Sequence, residues 1–127
     1  MKTKKIIHSL AGANFEIMDN LRTGIIILDK QNDYFYLNTA ANDILGSAHI
    51  LKKIENLSCE EINLHSYIAG VREDHAPVTL RDLKFKNFDK MEKICDCSIS
   101  TFPEYDENFI FLELNETGRL YNISNEK

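Results

Sequence analysis

The chain is poor in the residues that staple, ligate or anchor. It has three cysteines in 127 residues, an odd number that gives no disulfide framework. Cys95 and Cys97 stand two apart, and no second pair supplies the remaining ligands of a metal site. No apolar run reaches the roughly 18 residues that would cross a bilayer. The start, Met1-Lys2-Thr3-Lys4-Lys5, has the basic flank of a signal peptide, but His8, Ser9 and Asn14 break the apolar stretch behind it and no convincing cleavage site follows. Positive charge is scarce: 15 Lys and Arg face 20 Asp and Glu, for a net charge of −5 and a pI near 5.3. That balance argues against a nucleic-acid footprint. Also missing are a glycine-rich phosphate loop, a Gly-x-Ser-x-Gly elbow, a His-Glu-x-x-His pair among the four histidines (His8, His49, His65 and His75) and a plausible Cys/His/Asn set. No repeat or low-complexity segment occurs. What remains is an ordinary globular composition, 43% hydrophobic and 28% charged, in a length that suits one domain. Free cysteines point to the interior of a cell.

The most informative stretch is residues 24 to 46, GIIILDKQNDYFYLNTAANDILG. The apolar run Gly24-Ile25-Ile26-Ile27-Leu28 stops at Asp29. Four polar residues follow, then the aromatic run Tyr34-Phe35-Tyr36-Leu37. Asn38 opens a short Ala-rich segment that closes at Leu45-Gly46. This reads as strand, tight turn, strand and capped helix. Asn38 can accept from a free amide of the first helical turn, and Gly46 can take the left-handed conformation that ends a helix.

Upstream, Ile6, Leu10, Ala13, Ile17, Met18 and Leu21 fall at near-helical spacing. Downstream, a single turn is expected around Ile50-Leu51 and Ile54. Ser58-Cys59-Glu60-Glu61 resembles a capping box for a helix carrying Ile62, His65, Tyr67, Ile68 and Val71. After Pro77, Val78 and Leu80 share one parity and Leu83 and Phe85 the other, so a bulge is expected at Arg81-Asp82. Residues 92 to 102 alternate, with Cys95, Cys97, Ile99 and Thr101 on one face. Phe109 to Leu114 is apolar on both faces and therefore central. Two strands precede the helical pieces and three follow. The fold class is α+β: one five-stranded antiparallel sheet, near 24–29, 33–38, 78–87, 92–102 and 108–114, with helices on one face.

Gly24, Asp29, Asn38, Ala40, Ile44, Leu45 and Gly46 resemble the opening of PAS sensor domains, and Asn32 stands where that family has a turn glycine. The order of elements extends the resemblance over residues 10 to 115. The chain also looks like the N-terminal sensor region of nitrogen-regulation (NtrB-type) histidine kinases, although it contains no phospho-accepting histidine motif and no ATP-lid glycines. The resemblance implies a helical flank over residues 1–22, a sensor domain over 23–115 and the start of a linker over 116–127. It implies a cytoplasmic homodimer attached to a kinase output domain, without catalysis, membrane insertion or nucleic-acid binding. Asp29, Asn38 and Gly46 would be structural. A small ligand or partner would act on a cavity lined by Ile27, Tyr36, Ile68, Leu83, Cys97, Ile99 and Phe111.

No cofactor is expected. Haem-binding PAS domains use a helix histidine as axial ligand, and His65 is the one residue here that could serve. The flavin-binding Asn-Cys-Arg-Phe-Leu segment is absent. Two other readings stay open. A small enzyme of ketosteroid-isomerase-like or thioesterase-like type would need an acid or base in a cleft, for which Tyr36, His65 and Asp96 are the candidates. A module that only dimerises would have a filled core.

Overall fold

A computed structural model describes residues 20–46, 53–102 and 106–117 of the chain. Six strands form one sheet: β1 (Gly24–Leu28), β2 (Tyr34–Leu37), β3 (Ser58–Cys59), β4 (Val78–Lys86), β5 (Glu92–Phe102) and β6 (Asp106–Glu116). Their order is β2-β1-β6-β5-β4-β3, and every neighbouring pair is antiparallel. Helix α1 (Thr39–Leu45), a 3-10 turn (Ile54–Asn56) and helix α2 (Leu64–Asp74) lie in sequence between β2 and β4. The expected helix over residues 6–22 lies outside the described residues except for its last three, as do the turn at Ile50-Leu51 and the tail apolar pair Leu120 and Ile123.

The hairpin turn is organised by Asp29. Its carboxylate accepts from the amides of Gln31 (2.9 Å) and Asp33 (3.0 Å), and its carbonyl accepts from the Asn32 amide at 3.0 Å. Asn32 takes the positive φ of 64° that the turn requires. The helix after β2 starts where expected, with Asn38 at its N-cap. Gly46 ends it at φ 94° and ψ 166°, a positive φ with extended ψ and not the left-handed helical geometry expected for it. The end of α1 is sewn to the β4–β5 turn. Phe88 N–H donates to Leu45 O (2.8 Å), and the buried Asn87 donates through Nδ2 to Ile44 O (3.1 Å).

Two expectations change. Ser58 does not cap a helix. Ser58 and Cys59 form a sixth, edge strand opposite Lys86 and Phe85, and Glu60 N–H continues the ladder to Lys84 O at 2.9 Å. Glu61, the supposed partner in the capping box, sits at φ 64° and turns the chain away, so the helix begins only at Leu64. Ladder pairing satisfies the backbone at Ser58 better than a single side-chain cap would. The bulge expected in β4 is present: the register shifts between Leu80 and Leu83, with Asp82 at φ 50°.

Both described helices pack on one face. Ala41, Ile44 and Leu45 of α1 and Leu64, Ile68 and Val71 of α2 join Ile26, Leu28, Leu83, Phe85, Cys95, Cys97, Ile99, Ile110, Leu112 and Leu114 in one buried cluster. Alternation along the strands puts Ile27 and Phe109 on the opposite face, surrounded by Phe35, Tyr36 and Phe111. The rings of Phe35 and Phe109 meet edge to face with centroids 5.1 Å apart. β6, apolar on both faces, lies between β1 and β5.

Candidate functional site

The helix-side floor of the sheet is built from β4, β5 and β6. Cys95, Cys97 and Ile99 alternate inward along β5, and β6 contributes Ile110, Leu112 and Leu114. Helix α2 roofs this floor with Leu64, Ile68 and Val71, whose spacing of four and three residues is one face of a helix. Both thiols are wholly buried. Burial pushes each up to about 12, because a thiolate there would lose its water, and a thiolate at Cys97 would also lie close to the sulfurs of Cys95 and Cys59. Such thiols act as small apolar groups and not as nucleophiles.

The seven residues proposed for a cavity do not converge. Ile68, Leu83, Cys97 and Ile99 belong to the helix-side core, whereas Ile27, Tyr36 and Phe111 belong to the cluster on the other face. Adjacent register explains this. Ile27 pairs with Tyr36 and with Phe111, so the three form one cross-strand row, and a row has a single face. Parity within each strand and family likeness grouped them; the pairing of the strands in one sheet puts them on two faces.

The enzyme candidates are also dispersed. Tyr36 lies on β2 on the face without described helices. His65 is exposed on α2, and its Nδ1 meets the Glu55 carboxylate. Asp96 accepts the Asp82 amide (3.0 Å) and faces Arg81 at 3.6 Å. Tyr36, His65 and Asp96 lie on separate elements, and none of them lines either groove described below. His65 points away from the buried row Leu64, Ile68 and Val71, so the residues present do not fit an axial haem ligand reaching the core. Among the described residues no group of three or more His, Cys, Asp or Glu side chains could hold a metal ion.

One residue that ties helix to hairpin escaped the sequence reading. Arg72, in the last turn of α2, reaches out of its helix to the hairpin. Its Nη2 donates to Asp29 O and to Asn32 Oδ1, both at 2.5 Å, and its Nη1 donates to Asn108 O. Burial lowers the guanidinium pKa, while the charges of Asp29 and Glu55 oppose that shift. A lone arginine on a helix carries no sequence signal for a partner some 40 residues away. Two open grooves lie elsewhere. One of about 610 Å³ runs along the β3–β5 end of the sheet, with Lys84, Lys86 and Lys93 set against Glu60, Glu92 and Glu116. Another of about 360 Å³ borders the bare edge of β4 and includes Leu83. The balanced charge of the first offers no ligand of one sign a preferred seat.

Strand order, the capped helix after the hairpin and helices on one face define the PAS fold, and solved structures share it. The PAS domain of nitrogen regulation protein NR(II) from Vibrio parahaemolyticus superposes with a TM-score of 0.61 at 18% identity, covering 82% of this chain and 97% of that one. A domain of a sensory box sensor histidine kinase/response regulator from Geobacter sulfurreducens gives 0.66 at 14% identity, over 86% and 96%. A PAS domain from Colwellia psychrerythraea gives 0.67 at 12% identity, over 85% and 97%. No family model matches the sequence, and no curated protein matches it.

Proposed function

We propose that the chain is the signal-sensing and dimerisation module of a two-component sensor histidine kinase, of the nitrogen-regulation type, working in the cytoplasm. It carries no catalysis and no cofactor of its own. A small uncharged ligand or a partner shifts the packing of helices on the sheet, and the shift passes to an attached kinase output domain. A signal of this kind is limited by the ligand's differential affinity for the two packings. The module binds no nucleic acid, in keeping with its acidic balance, and inserts in no membrane. No described helix is long and apolar enough to cross one.

The observation that carries this reading is a PAS-fold sheet that is apolar on both faces. One face holds the helices; the other holds the buried Ile27 and Phe109 with the half-buried Phe35, Tyr36 and Phe111 around them, and neither described helix lies on it. A second apolar sheet face has to be covered, by this chain or by a partner, and two-fold homodimers are the commonest assemblies. Light scattering tests the dimer. The full chain should have twice its monomer mass, and either deletion of residues 1–20 or Phe111→Glu should halve it while the β signal in circular dichroism persists. A monomeric full chain at high concentration removes the dimer. Native mass spectrometry of the protein as purified tests sensing: a small adduct, lost on denaturation, supports it. Failure of any uncharged small molecule to appear there or to raise the melting temperature sinks it.

A further inference from the structure

We propose that α2 is a lid over the inner face of the sheet, latched shut at its C-terminal end by Arg72. The proposal rests on the sensing reading only for the use of the opening; the latch itself is a matter of this chain's own contacts.

Helix α2 is weak as a helix. It has 11 residues, fewer than a free helix needs for stability in water, and the Asn63 side chain makes no capping bond. Gly70 sits in its interior, yet an ideal Cβ there would meet no heavy atom within 4 Å. Packing therefore does not demand this glycine, and its effect is to loosen the helix. The chain enters and leaves α2 through residues with left-handed backbone, Glu61 at φ 64° and His75 at φ 57°. Segments that move are drawn from such low-stability elements.

Tertiary contacts hold the helix down. The apolar row Leu64, Ile68 and Val71 supplies adhesion to the floor, and Arg72 supplies direction. Its three acceptors belong to the β1–β2 turn and to the start of β6, and its buried Nε has no partner among the described residues. Lys53, just before the 3-10 turn, ties to the same hairpin turn through Gln31 O at 2.8 Å and Asp33 at 3.4 Å. The hairpin turn is thus the strike plate on which the helical segment closes. Releasing Arg72 frees the C-terminal half of α2 and uncovers the part of the β5–β6 floor nearest Asn108, Ile99 first and Cys97 beyond it, an apolar floor suited to a small uncharged molecule.

The two buried thiols report the opening. Full-length protein is treated with N-ethylmaleimide across a series of sub-denaturing urea concentrations, and modification is read at each cysteine by peptide mass spectrometry. Arg72→Lys keeps the charge and loses the fork; it should speed labelling of Cys97 at least tenfold, and of Cys95, opposite Glu116 at the far end of β5, by less, with a urea dependence well below that of global unfolding. Gly70→Ala should slow labelling about two- to fivefold. Labelling that keeps the full urea dependence of global unfolding in both variants, or an unchanged rate in Arg72→Lys, overturns the lid. No ligand enters this assay, so its failure leaves the sensing reading to the native mass spectrum.

Discussion

Asn38→Ala removes more than a helix cap. Asn38 is fully buried, and its carboxamide makes at least three bonds to described residues. Oδ1 accepts from Ala41 N–H at 2.9 Å, the cap proper, and from Ile25 N–H at 2.8 Å; Nδ2 donates to Thr23 O at 2.8 Å. The Asn38 amide meanwhile donates to Ile25 O at 3.1 Å, so the side chain acts as one more rung of the β1–β2 ladder. A lost cap costs about 1 kcal/mol. An orphaned buried amide at Ile25 adds about 1–3 kcal/mol, whereas Thr23 O, half-buried, regains water. The expected loss is about 2–4 kcal/mol, a sizeable share of the roughly 5–15 kcal/mol that holds a domain together. Urea denaturation followed by circular dichroism should show a midpoint lower by about 1–2 M. Asn38→Ser, which keeps an acceptor for the cap alone, should fall between alanine and the parent. A loss of only about 1 kcal/mol for alanine, equal to an ordinary exposed cap, refutes the claim that this side chain serves the sheet.

Gly46→Ala should lower stability by about 1–3 kcal/mol through its backbone alone, a positive φ with extended ψ that essentially only glycine adopts. The new Cβ also falls 2.8 Å from the Asp89 carboxylate and 3.0 Å from its backbone nitrogen, so Asp89→Gly relieves only part of the loss in thermal melts. Alkaline pH should weaken the fold. Cys95 and Cys97 are raised to about 12 from an ordinary 9.0, so an unfolded chain sheds these protons first. Their contribution is complete below about pH 9 and declines as pH rises towards 12, by up to about 1.4 kcal/mol per pH unit for each thiol. Denaturation midpoints measured from pH 8 to 10.5 should slope downward, less steeply in Cys97→Val; a flat profile contradicts the burial argument.

Local rules wrote the first half of this fold. Asp29, Asn32, Asn38 and Gly46 each do what a turn or cap asks of its residue type, and these demands act over a few neighbouring residues. Period-two alternation at Cys95, Cys97 and Ile99 named the inward face of β5, the phase change at Arg81-Asp82 named the bulge, and Phe109 to Leu114 declared a central strand. These features were legible because hydrophobic periodicity and turn chemistry are properties of the chain itself. Ser58-Cys59-Glu60-Glu61 read as a cap because the pattern is local, but the ladder partner Phe85, 26 residues on, made it a strand. Which apolar residues share a cavity also lay beyond the sequence. Ile27 and Ile26 are adjacent and equally apolar, and only the sheet's orientation under α1 and α2 sends one to the helices and the other to the opposite face. Arg72 is the plainest case. Its role depends on a hairpin turn and a strand start that are brought to it by the sheet order, since a guanidinium selects acceptors by position in space and not by distance along the chain.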